Sequence, residues 1–141
     1  MDGFLTLFQG LVIFTFLFIG VVLVLGLFFG REYRRNRQSG LLLGVHIIYM
    51  EAALFLTVFG VILVEAFLFF FGRQRGWLLW VHLGFAVPFL ISLMLLSGAT
   101  PIERLNFNGL RFPVLHRRWG YICILIFYVG MLVTGIPLLF R

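Results

Sequence analysis

Four long apolar runs, separated by short segments that hold most of the charged residues, dominate the pattern of this 141-residue chain. The runs cover about 4–30, 41–72, 77–97 and 114–140. Each meets the need for about 20 residues to cross about 30 Å of hydrocarbon as a helix. Transmembrane β-strands are shorter and alternate apolar with polar residues, a pattern that these runs lack. The sequence therefore predicts an all-α fold, an integral membrane four-helix bundle that forms a single transmembrane domain over residues 1–141.

Composition narrows the possible functions. The chain is 62% hydrophobic and only 11% charged, which excludes a soluble enzyme and makes the lipid bilayer its first partner. Its one cysteine, Cys123, excludes an intrachain disulfide and a CxxCH haem-attachment motif, so any cofactor is held by other residues. The net charge of +6 comes from arginines beside the apolar runs, which indicates membrane topology and no nucleic-acid partner.

The distribution of the arginines predicts the orientation of the bundle. Eight lie in the first and third connections, and three lie in the second connection and at the C-terminus. By the positive-inside rule the first and third connections are cytoplasmic, so both the N- and C-termini lie on the outer side. Residues 98–115 are expected to form an interfacial loop on the cytoplasmic surface.

Ionisable residues within membrane spans are costly, so each is a candidate functional residue. The candidates are His46, Glu51, Glu65, His82 and His116. Counting helical turns from the connections places His46 and His116 at one level near the cytoplasmic side. His82 lies on a helix that runs the opposite way, so it belongs near the outer face.

The faces that carry His46 and His116 are rich in small residues, with Ala53 and Gly60 on one and Gly120 and Gly130 on the other. A planar macrocycle between two helices needs such relief. This pattern predicts a haem whose iron is bound by His46 and His116, with Gly120 beside it. Two other interpretations stay open: histidines that only hydrogen-bond between helices, and a non-haem metal or another pigment.

Arginines near His116 suggest further contacts with a haem. Arg117 and Arg118, with Arg111 before them, lie where charge-assisted hydrogen bonds to haem propionates would form. Membrane topology alone also explains arginines at a cytoplasmic helix end.

A second candidate site lies in the outer half of the bundle, where Glu65 approaches the level of His82. The two are expected to be neighbours, as a structural or protonatable contact, a proton-linked quinone pocket, or a metal site. Glu51 lies within about 40° of Glu65 on helix two, so both are expected to face the bundle. Gly26-x-x-x-Gly30 is a candidate helix contact.

One set of residues carries a family resemblance: His46, the segment 82–88, His116-Arg117-Arg118, Tyr128 and Thr134-Gly135. With them the chain resembles four-helix membrane b-type cytochromes. It is more closely similar to small bacterial four-helix membrane proteins of respiratory-oxidase and haem-assembly neighbourhoods. The resemblance implies a haem-related role with the three histidines as the inherited polar positions. Dihaem members use four histidine ligands whereas this chain has three, so it holds one haem at most.

The leading hypothesis is therefore a small cytochrome b-like subunit that carries one haem b. It would transfer electrons between quinol and a partner in a larger respiratory or photosynthetic complex, as an electron-transfer subunit rather than a stand-alone enzyme. The expected location is the bacterial inner membrane. The alternative is a non-redox accessory or assembly subunit of a membrane complex.

Overall fold

The computed structural model describes residues 2–36, 38–71, 76–106 and 112–140, with side chains described at 3–36, 38–64, 76–96 and 116–140. Within these ranges the fold is all-α. The helices are α1 (Asp2–Arg35), α2 (Gly40–Phe71), α3 (Trp77–Asn106), α4 (Phe112–Ile122) and α5 (Val129–Leu139), with a π-helical segment (Cys123–Tyr128) that joins α4 to α5. We call α4, the π-helical segment and α5 together the fourth span. The prediction of four helices is confirmed.

Four stretches are long and apolar enough to cross a membrane: Gly3–Arg35, Gly40–Val64, Trp77–Leu96 and His116–Leu139. Their outward side chains are large and apolar; Phe14, for example, is 66% exposed. Such a surface is suited to lipid, because apolar side chains in water would cost free energy. The chain is therefore a candidate integral membrane protein.

Two helices extend beyond the apolar runs that predicted them. α1 continues to Arg35, where the Arg35 guanidinium lies 3.0 Å from the Glu32 carboxylate one turn earlier. α3 continues to Asn106 and α4 begins at Phe112, so the prediction of a loop over 98–115 is wrong for residues 98–106 and 112–115, which are helical. Charged residues end a membrane span but not a helix, since Arg and Glu have high helix propensity.

The helices pack in sequence order around the bundle. α1 lies along α2, α2 meets α3, and α3 packs against the fourth span, which returns to α1. The Gln9 side-chain amide, near the start of α1, donates to the backbone carbonyl of Leu139 at the end of α5. The start of α1 and the end of α5 therefore lie at the same end of the bundle, and the side of the membrane that this end faces stays a prediction.

The core between the helices is apolar and continuous. Its fully buried members include Ile19, Leu23, Phe89 and Leu93. Tyr128 packs into this core against Phe89, with ring centroids 5.4 Å apart. Tyr128 also lies over Gly20 of α1. Side chains of one helix that fill the space above a glycine of another are typical of helix association in lipid.

Glu51 differs from expectation. It was predicted to face the bundle, but its side chain is exposed on the outer surface of α2. α2 is apolar on nearly every side, so its sequence carried little information about which side packs inward.

Candidate functional site

The structure brings His46 and His116 together. His46 lies in the second turn of α2 and His116 in the second turn of α4, both at the end of the bundle away from the termini. Their imidazole centroids are 6.4 Å apart, and the planes of the rings are at 75°. The equal depth that the sequence predicted for these two residues is therefore found.

The backbone of α1 fixes the orientation of His46. Its Nδ1 lies 2.7 Å from the carbonyl oxygen of Gly26. A carbonyl oxygen only accepts, so Nδ1 carries the proton, and in the neutral ring Nε2 keeps a free lone pair. A histidine whose Nδ1–H is held by a carbonyl is oriented in the way that metal-binding histidines usually are.

The Gly26-x-x-x-Gly30 motif makes the space in which this contact forms. A Cβ added at Gly30 would lie 2.9 Å from the Nδ1 of His46, and one at Gly26 would lie 2.9 Å from the sulfur of Met50. Both glycines thus receive side chains of α2. The motif predicted as a helix contact is a real one, and α1 contributes to the site although it has no histidine.

The His116 side has two features that a ligand would satisfy. The Nδ1 of His116 is buried, and among the described residues it has no hydrogen-bond partner. One turn later, Gly120 is buried, yet a Cβ added there would meet nothing within 4 Å. Among the described residues, space is therefore open at Gly120, on the same side of the helix as the imidazole. A buried polar atom without a partner costs about 1–3 kcal/mol.

Arg34 is the site residue that the sequence did not reveal. It lies in the last turn of α1, is half-buried, and interacts electrostatically with both His46 and His116. No acidic side chain among those described forms an ion pair with it. The available signal was its place in the last turn of a helix that continues past its apolar run.

The two predicted propionate contacts differ from Arg34 in their surroundings. Arg117 and Arg118 are both exposed, and Arg111 lies outside the described residues. Arg34 is the described arginine whose charge acts on both histidines, and contacts of Arg117 and Arg118 with a propionate stay a prediction.

The small-residue stripes mostly serve helix packing. On α2, Gly60 receives the ring of Phe16 from α1. On the fourth span, Cys123 contacts the carbonyl of Phe89, and Phe85 of α3 packs directly on Gly130. Side chains of α1 and α3 therefore occupy the stripes at Gly60 and Gly130, and the expectation that the stripes border a slot for a ring stays a prediction.

The structure gives His82 a partner that the sequence did not predict. Its Nδ1 donates to the hydroxyl oxygen of Thr134 at 3.2 Å, and that hydroxyl donates to the carbonyl of Gly130 at 2.7 Å. A Cβ added at Gly135 would lie 2.8 Å from the same imidazole. His82 is thus hydrogen-bonded and packed near the termini. The side chain of Glu65 lies outside the described residues, so its expected contact with His82 stays a prediction.

The number of side chains that could bind a metal ion limits what the site can hold. Among the described residues no group of three or more His, Cys, Asp or Glu side chains could hold a metal ion. Two imidazoles can bind a metal only when other donors complete its coordination.

Comparison with known proteins found no family model, curated protein or solved structure that matches this chain.

Proposed function

We propose that the protein is a small membrane cytochrome b-like subunit that holds one haem b between His46 and His116. The observation that supports this best is the opposition of the two imidazoles, one of which is held by Gly26 with its Nε2 free. Two helices that each supply one histidine at the same level are a common way to hold haem in a bundle.

The spacing of the rings fits a single metal ion bound by both. Two metal–nitrogen bonds of about 2 Å on opposite sides of one ion hold the nitrogens about 4 Å apart, and each ring centroid lies beyond its nitrogen, which makes the centroid separation roughly 6 Å. The observed separation of 6.4 Å is close to this value. The gap at Gly120 and the unpartnered Nδ1 of His116 are further features that an occupant would account for.

The ligand count favours haem over a bare metal ion. Two imidazoles leave most coordination positions of a transition metal unfilled, whereas the macrocycle of haem supplies four equatorial nitrogens. The interpretation as histidines that only join helices is weaker for this pair. His82 has a side-chain partner of that kind, but the Nδ1 of His116 has none among the described residues.

When bound, haem supplies a one-electron couple. The residues of this chain would tune that couple. The hydrogen bond from His46 to Gly26 raises the basicity of the ligand, and the positive charge of Arg34 favours the state with the added electron. Arg34 is also the best-placed donor for a propionate, ahead of Arg117 and Arg118.

The proposal also includes quinol as the electron donor, with quinone bound at Glu65 and His82. The electron acceptor belongs to a larger respiratory or photosynthetic complex, and the protein is located in the bacterial inner membrane. The loops rich in arginine are placed in the cytoplasm and the termini outside. A single haem near one side leaves a long distance to the other face, so a partner subunit is needed for transfer across the membrane.

A reduced-minus-oxidised optical spectrum of the purified protein tests the proposal. We expect the α and Soret bands of a low-spin b haem, lost in His46→Ala and in His116→Ala. His82→Ala is the matched control and should keep most of the spectrum, because His82 binds Thr134 instead. A purified protein without tetrapyrrole would overturn the proposal and favour the non-redox accessory subunit.

A further inference from the structure

Glu51 occupies an unusual position in the bundle. It lies eleven residues after the start of α2 (Gly40–Phe71), within the apolar run, and its side chain is exposed on the outer surface. About 16 Å of helix separate it from the start of α2. A carboxyl group is therefore presented to the membrane near its midplane rather than to the headgroups.

No residue in the described part of the chain pairs with the carboxyl group of Glu51. It has no hydrogen bond and no ion pair there; the acidic residue that is paired is Glu32, with Arg35. A charged side chain at the centre of a bilayer costs about 3 kcal/mol on insertion scales and more in simulations. Such residues normally face protein or a water-filled cavity, so an outward Glu51 indicates a surface that another protein covers.

The surroundings of Glu51 describe that surface. The same face of α2 carries Ile48, Phe55 and Ile62, which are 64%, 73% and 60% exposed. Counted together with Glu51, these residues are three, four and seven positions apart along the helix. They therefore lie on one face and form a continuous apolar stripe that contains one carboxyl group. A complementary partner presents an apolar helix with one hydrogen-bonding group at the same depth.

We propose that this partner is a second copy of the chain, packed α2 against α2 about a two-fold axis perpendicular to the membrane. Such an axis places the two Glu51 side chains at the same depth and opposite each other. A protonated carboxyl group is both donor and acceptor, so two of them are self-complementary. The stripe of Ile48, Phe55 and Ile62 meets its own copy at the same time. This inference does not depend on haem.

The first test measures self-association in lipid vesicles by energy transfer between labelled chains on dilution. Wild-type protein should associate. Glu51→Leu should weaken association about tenfold, the equivalent of a membrane hydrogen bond of 1–2 kcal/mol. Glu51→Gln, which keeps a donor and an acceptor, should stay within about threefold of wild type. Leu in place of Glu51 faces outward and leaves no cavity, so the bundle should stay folded.

The second test requires no change at Glu51. Phe55→Cys, one turn away, should form disulfide-linked dimers in oxidised membranes. Val87→Cys is the control, since Val87 is 48% exposed on α3, about 15 Å from the start of that helix, and it should not cross-link. The native Cys123 is buried and should give little background. Equal cross-linking at both positions, or a wild-type protein that stays monomeric on its own, would overturn the proposal and leave a different subunit as the partner of Glu51.

Discussion

The Nδ1–H of His46 donates a 2.7 Å hydrogen bond to the carbonyl oxygen of Gly26, so a helix without histidine orients a histidine of its neighbour. The contact is possible because Gly26 and Gly30 leave room for the imidazole and for Met50. α1 thereby links the packing of the bundle to the geometry of the candidate haem site.

Gly30→Ala should disturb this link. The new Cβ would lie 2.9 Å from His46 Nδ1 and 3.0 Å from its Cε1, so the ring or the helix must move. We expect a loss of about 1–3 kcal/mol in unfolding free energy, measured by titration with denaturing detergent. Gly44→Ala is the control, because Gly44 lies two residues before His46 on α2 and a Cβ added there would meet nothing within 4 Å. Equal stability of the two variants would contradict the role of Gly30.

Tyr128 and Gly20 form a second packing contact between α1 and the fourth span. The Tyr128 hydroxyl donates to the carbonyl of Phe16, and a Cβ at Gly20 would lie 2.6 Å from that hydroxyl oxygen. Tyr128→Phe should cost about 1 kcal/mol and Gly20→Ala should cost more. In the double variant the Phe ring lacks the hydroxyl that the Cβ added at Gly20 would meet. The double variant should therefore lose less unfolding free energy than the sum of the two single losses. A double-mutant cycle of unfolding free energies measures this coupling, and strict additivity would contradict it.

Thr134 should support the structure and not the haem. Thr134→Val removes the hydroxyl that accepts from His82 at 3.2 Å, and leaves the imidazole nitrogen without that partner. We expect a loss of about 1 kcal/mol in unfolding free energy with an unchanged optical spectrum. Thr134→Ser keeps the hydroxyl and should lie close to wild type. A selective loss of haem in Thr134→Val would instead place His82 in the haem site.

Arg34 should tune the candidate haem, whereas its neighbour Arg35 should not. Arg34 acts on both histidines, and Arg35 is exposed and paired with Glu32 at 3.0 Å. Removing a positive charge near the iron disfavours the reduced state. Arg34→Gln should therefore lower the midpoint potential by roughly several tens of millivolts. Arg35→Gln is the control, because it removes the same positive charge at the next residue of the chain. Equal potentials in the two variants, measured by redox titration, would contradict the assignment.

Much of the fold could be predicted from the sequence because lipid imposes a simple rule on backbone groups. Continuous apolar runs of sufficient length have to be helices, and their number and order follow directly. The opposition of His46 and His116 could also be predicted, since both are a short, countable distance from connections on the same side of the membrane.

Other features depend on which side of a helix packs inward, and a helix that is apolar all round does not encode this in its pattern. That is why Glu51 was placed in the bundle and is found outside it. Arg34 was overlooked because arginines at a helix end are expected from topology alone. The π-helical segment that presents Tyr128 has no proline or glycine to mark it.

Low-temperature electron paramagnetic resonance of the oxidised protein tests the central claim most directly, since its g values report the spin state of the iron and the kind of ligands that the protein supplies. For wild type we predict the low-spin ferric signal of two axial imidazoles. His116→Gly should lose this signal, and added free imidazole should restore it, because the gap at Gly120 gives the small ligand access. A high-spin signal in wild type, or a low-spin signal that survives in His116→Gly without imidazole, would contradict ligation by His46 and His116.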